Sequence, residues 1–127
     1  MKKVLTLAAL ILSSTGAMAA DKFLSNNPMA SKTIHNPQSA AICIAANTVI
    51  ASNPSVNKTN SDKINAMNSL IWFYVDSVDK KHGDKVEMLL PTFVGNYKRM
   101  PLDYMLAQQK NAGCPNLNSS IITTFNL

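Results

Sequence analysis

The sequence predicts an all-α protein: a small disulfide-tied bundle of about four helices, with an irregular N-terminal arm and an extended C-terminal tail. Three observations lead there. Apolar residues recur at helical spacing between Ile64 and Val78. Asparagine, proline and glycine stand where helix caps and stops belong. Two cysteines, Cys43 and Cys114, fall in the first predicted helix and just after the last.

The chain opens with MKKVLTLAALILSSTGAMA, in which two lysines precede an apolar run from Val4 to Leu12 and small residues stand at Ala17 and Ala19. This is the plan of a secretory signal peptide over residues 1–19, with cleavage expected between Ala19 and Ala20. The apolar run is too short to cross a bilayer, which takes roughly 20 such residues. Cleavage would leave 108 of the 127 residues, one small domain. Without Lys2 and Lys3, ten basic side chains face seven acidic ones, a net charge of about +3. That balance, with a single arginine and no dense basic run, excludes a nucleic-acid footprint. Export to a periplasmic or extracellular compartment also predicts that Cys43 and Cys114 pair, because an oxidising compartment favours a bond over two free thiols. Cys43 lies in AAICIAA, whose apolar surroundings work against a reactive thiolate.

The elements follow in order. Residues 20–36 show no sustained period and read as an arm pinned by Phe23 and Leu24, ahead of a single helical domain over 37–127. Asn36 followed by Pro37 is a cap and first-turn pair that starts a helix ending near Ser52. Its stripe of Ile42, Ala45, Ala46, Val49 and Ile50 and its many small residues suit a central position. Ser61 and Asp62 predict the start of a second helix, with Ile64, Met67, Ile71, Tyr74, Val75 and Val78 on one face and Gly83 as its stop. Asp84 and Glu87 predict a third, interrupted or kinked at Pro91. Pro101 opens a fourth, with Leu102, Met105 and Leu106 turned inward and Gly113 as its end. The remainder, PNLNSSIITTFNL, is rich in β-branched residues and reads as an extended tail.

Candidate chemistry is sparse. His82, Asp76, Asp79, Asp84 and Glu87 form the densest polar cluster, and the spacing of Asp79 and His82 resembles the beginning of a metal or hydrolytic site. Interleaved lysines and the lack of a nucleophile elbow or a metal-binding motif favour a capped, solvated helix junction instead. No catalytic residue, metal or cofactor is therefore expected. Met67, Met88, Met100 and Met105 fit core filling better than a binding surface. The run LIWFYV is the sharpest functional signal. Taking 100° per residue, Trp72 lies about 100° and Phe73 about 160° from the core stripe, so both rings need cover from the chain or from a partner.

In size and cysteine count the plan is similar to that of periplasmic acid-stress chaperones and of periplasmic immunity proteins, a similarity that carries no residues across. The leading expectation is an exported protein-binding module of the immunity or inhibitor type, with Trp72 and Phe73 as anchors and Lys80, Lys81 and Lys98 at the rim. The rivals are a periplasmic holdase that exposes apolar surface under stress and a small hydrolase centred on Asp79 to Glu87.

Overall fold

Asparagine, aspartate and proline decide where most of the helices start. The structure, a computed structural model, describes residues 20–127, and the predicted leader lies outside them. Seven α-helices and no strand occur among the described residues. The first, α1 (Ala20–Asn26), is followed at once by α2 (Pro28–His35), which has proline in its first turn. Asn36 then accepts the Ser39 amide at 3.1 Å and caps α3 (Pro37–Ala51). Asn57 caps α4 (Lys58–Val78) by accepting the Asn60 amide at 2.8 Å. Asp79 caps α5 (Lys80–Arg99) by accepting the His82 amide at 2.7 Å. Pro101 precedes α6 (Leu102–Ala112), and Gly113 separates it from α7 (Cys114–Phe125). Each cap supplies an acceptor to a first-turn amide that has no partner within its own helix.

Helix α3 is the axis of the molecule. Every residue from Ala40 to Asn47 is buried, and α2, α4, α5, α6 and α7 all pack on it, most extensively α5. Its alanines let neighbouring backbones approach closely, so the expected central helix is what forms. Helix α4 is the second axis, in contact with α1, α2, α3, α5 and α7. Between the two axes lies a buried amide network. Asn47 Nδ2 donates to Asn68 Oδ1 at 3.1 Å and to Asn118 Oδ1 at 3.3 Å, while Asn68 Nδ2 donates to the Ile44 carbonyl and Thr48 Oγ1, both at 3.2 Å. A polar network inside an apolar core fixes the relative register of α3, α4 and α7, because sliding any of them strands a desolvated amide.

Cys43 and Cys114 form the predicted disulfide, with Cα atoms 5.3 Å apart and both side chains fully buried. Such a bond is consistent with an oxidising compartment. No described helix is long and apolar enough to cross a membrane.

Five local expectations change. The arm over 20–36 is not irregular but folds as α1 and α2, and Phe23 stacks on Tyr74 with centroids 4.2 Å apart. The tail is not extended. Cys114, Leu117, Ile121 and Phe125 are buried at spacings of three and four, which is the stripe of α7. With these additions there are seven helices where about four were predicted. Helix α4 starts one turn before Ser61, whose hydroxyl instead donates to the Ala51 carbonyl at 2.7 Å and closes the end of α3.

The fourth change concerns the junction of α4 and α5. It falls at Asp79, in extended backbone at φ −176° and ψ 170°, rather than at Gly83. Gly83 lies inside α5 because it meets α4 closely, a Cβ there standing only 2.5 Å from Asp76 Oδ1. Helix α5 also runs unbroken through Pro91. That proline is on the exposed face, where solvent takes over from the forgone ladder bond, while Gly83, Val86, Leu90 and Tyr97 hold the other face against the core.

Candidate functional site

The end of α3, the loop after it, the last turn of α5 and the first turn of α6 meet around an open groove of about 640 Å³. Val49, Ile50, Asn53 and Pro54 form one wall. Met100 and Leu102 form the other, Lys98 stands at the rim, and the buried side chains of Tyr97 and Met105 make the floor. Helix α6 makes this surface because its neighbours cover only one edge of its apolar stripe. Met105 and Gln109 turn inward, while Leu102 and Leu106, one turn apart, are 62% and 46% exposed. Met100 is 46% and Tyr104 37% exposed, so four large apolar side chains face solvent within seven consecutive residues. A concentration of this kind exceeds the single scattered apolar side chains found on any protein surface.

Aromatic rings and one amide stiffen the floor. Phe93, Tyr97 and Tyr104 run in series, with centroids 6.1 Å and 6.3 Å apart. Tyr97 donates its hydroxyl proton to Gln108 Oε1, and Gln108 Nε2 donates in turn to the Tyr104 hydroxyl at 3.0 Å. These bonds tie α5 to α6 across the turn at Met100. Burial, reinforced by Tyr104 alongside, pushes the Tyr97 hydroxyl up to about 12 from an ordinary 10.0. The consequence for stability has a definite sign. Above pH 10 an unfolded chain has released a proton that the native tyrosine still holds, so stability falls as pH rises from 10 toward about 12. Tyr97→Phe will make this alkaline limb shallower, as read from urea unfolding at stepped pH. The slope that remains includes Tyr74, whose fully buried hydroxyl is also raised by desolvation, and Lys80, raised by its hydrogen bond to Asp84.

The residues singled out from sequence are scattered by the fold. Trp72 is 2% exposed and belongs to the core, so it cannot serve as a surface anchor in this conformation. The reason is that α4 has five helical neighbours, which together cover far more than the one stripe used to reckon its angle. Phe73 is half-buried, packed against the core with its ring edge-on to Tyr74 at 5.4 Å. Lys80 and Lys81 open α5, and Lys98 lies near its other end, about 27 Å away at 1.5 Å per residue. Of the five proposed binding residues, only Lys98 lines the groove.

No known protein family, curated protein or solved structure matches the chain. The site must therefore be read from its own geometry.

Of the acidic and histidine cluster, Asp79 and His82 line one hollow of about 200 Å³, together with Pro37, Lys81 and Lys85. Asp79 spends its carboxylate on capping α5, and Asp84 pairs with Lys80 at 3.0 Å. The His82 ring donates from Nε2 to the Ile34 carbonyl at 2.7 Å, tying α5 to α2. No group of three or more histidine, cysteine or acidic residues is placed to hold a metal ion among the described residues. The methionines divide. Met67 and Met105 fill the core as expected, whereas Met88 and Met100 are exposed.

Sequence reasoning missed the groove by turning Leu102 and Leu106 inward with Met105. Leu102, Met105, Leu106 and Gln109 fall within about 100° of one another on a single stripe, so spacing alone placed them all inward. Which of them stays covered depended on where α3 ended.

Proposed function

We propose that this chain is an exported, non-enzymatic protein-binding module, and that it binds through the groove rather than through the LIWFYV run. The observation that carries the reading is the exposure of Met100, Leu102, Tyr104 and Leu106 within seven residues, the first two lining a preformed apolar groove. Large apolar and aromatic side chains of this kind dominate binding energy once a partner desolvates them. Lys98 and Arg99 at the end of α5 give the rim a positive charge. The partner that fits is an apolar protein segment flanked by acidic residues, steered by the rim and held by the groove. An inhibitor of immunity type is one concrete form of such a module. The buried disulfide supports work in an oxidising compartment, where a small domain benefits most from a cross-link.

The hydrolase reading gains no support, since Asp79 caps α5, His82 ties α5 to α2 and Asp84 pairs with Lys80 within α5. The holdase reading requires apolar surface that appears on stress. Here the surface is already exposed in the native fold, which favours a specific dock.

Leu102→Ser/Leu106→Ser tests the proposal. Both side chains are largely exposed, so the double variant will unfold at nearly the same temperature as the native protein. A partner captured by the native protein, then purified and titrated by calorimetry, will bind the variant about a hundredfold more weakly, in line with the loss of two anchors. Equal affinity for the two forms would remove the groove from the interface.

A further inference from the structure

We propose a second site, independent of the groove: a polar cleft between the end of α2 and the junction of α6 with α7 that binds a small oxyanion carried on a hydroxyl-bearing body, such as a phosphorylated or carboxylated sugar. The cleft encloses about 350 Å³, within the range of small-ligand sites. Lys32 comes from α2, Lys110 and Asn111 from the last turn of α6, Asn116 from the first turn of α7, and Asn36 and Ser39 from the start of α3. Its lining contains two lysines and no carboxylate. Elsewhere, Lys58 and Lys80 are neutralised by acids one turn along their helices, Asp62 and Asp84. Lys32 and Lys110 have no acid at that spacing, the residues four away being Pro28, Asn36, Leu106 and Cys114.

Two cations held on either side of one cavity repel each other, and a bound anion relieves that repulsion while accepting charge-assisted hydrogen bonds from both. The lining amides and hydroxyl extend the recognition to a neutral polar body. A neighbouring hollow of about 190 Å³ shares Asn36, Ser39, Asn111 and Ala112 with the cleft and adds Gln38 and Gln108. It too has no carboxylate. The combined trough thus presents an anion end and an amide-lined run suited to hydroxyl groups, which both donate and accept.

The floor of the cleft is locked in place. Thr33 Oγ1 donates to the Ala112 carbonyl at 3.0 Å, fastening α2 to the end of α6. Gly113 turns at φ +85°, and a Cβ there would lie 2.5 Å from Thr33 Oγ1, so the backbone crosses α2 as closely as it can. The next residue, Cys114, is tied to Cys43. A site whose backbone is fixed before the ligand arrives loses little entropy on binding. Helix α7 starts beside the cleft, and Gly113 offers it no side-chain cap, so the partial positive charge of that helix start stands next to the lysines.

Calorimetric titration of the disulfide-intact protein with glucose phosphate, glucuronate and glucose provides the test, with amide chemical shifts to locate binding. The two anionic sugars are expected to bind and to move the amides of Asn111, Gly113 and Asn116, whereas glucose should do neither. The stronger of the two identifies the preferred headgroup. Lys32→Gln/Lys110→Gln should weaken binding by at least about tenfold, the loss of charge-assisted bonds. Lys32→Arg/Lys110→Arg should retain it, and so should Lys22→Gln/Lys63→Gln, which removes the same total charge from other surfaces. Failure of both anions to shift those amides would overturn the proposal, as would equal losses in the two glutamine variants.

Discussion

Replacing Cys43 and Cys114 together by alanine will lower the free energy of unfolding by about 4 kcal/mol. The bond joins residues 71 apart, so cutting it restores to the unfolded chain the freedom of a long closed loop. For a domain of this size the loss is about a third or more of a typical total stability. Urea unfolding will show it as a lower midpoint. The slope of free energy on denaturant should steepen as well, since an uncrosslinked chain exposes more surface when it unfolds. A lower midpoint with unchanged slope would mean that the loss comes from the two small cavities left in the core instead. The position of the bond also matters. It links the middle of α3 to the first residue of α7, next to the left-handed turn at Gly113. Helix α7 therefore carries three apolar anchors, Leu117, Ile121 and Phe125, behind a covalent root.

The disulfide, the central helix and the cap at Asn36 were legible because each rests on a local rule with one strong outcome. A cysteine pair in apolar surroundings behind a predicted leader, an alanine-rich run and an Asn-Pro step leave little choice. The end of α6 at Gly113 belongs with them, since a residue at φ +85° after an amphipathic run is what the sequence asks glycine to supply. Where two signals competed, the tertiary structure chose between them. Asp79 and Gly83 were both fit to end α4. The aspartate prevailed because its side chain caps α5, and the glycine lies within that helix against the Asp76 carboxylate. In the tail, β-branched residues masked a helical stripe whose spacing was already present at Cys114, Leu117, Ile121 and Phe125. Counting spacing before propensity would have found α7, since burial of one face outweighs a weak intrinsic preference.

The candidate site was less legible for a different reason. Angular position on an isolated helix tells which residues share a face, but not how many faces its neighbours cover. Trp72 and Leu102 show the error in both directions. The tryptophan stood off the stripe of α4, yet five neighbouring helices enclose it. The leucine stood on the expected inner face of α6, yet α3 ends at Ala51 and leaves it uncovered. Lys98 was found at the groove because a charge near a helix end is exposed in almost any packing.

Phe23→Ala is the sharpest test of whether the first two helices belong to the domain, and it will cost about 3–5 kcal/mol, as expected for a large buried ring. Phe23 is fully buried, and its ring lies nearly parallel to that of Tyr74, with an interplanar angle of 8°. It is the one buried residue of α1 and the means by which that short helix grips α4. A seven-residue helix has no independent stability, so its fold depends on this contact. Removing the ring should uncover Tyr74 and loosen α1. The backbone link at Asn27, whose side-chain amide donates to the Phe23 carbonyl at 2.9 Å, should slacken with it. Hydrogen exchange will then quicken first over 20–35 and next in the middle of α4, while α5 and α6 keep their protection. Were these residues a dispensable arm, the same substitution would shift the unfolding midpoint by no more than a surface change does, about 0.5 kcal/mol. The two expectations differ by several kcal/mol, so a single unfolding curve separates them.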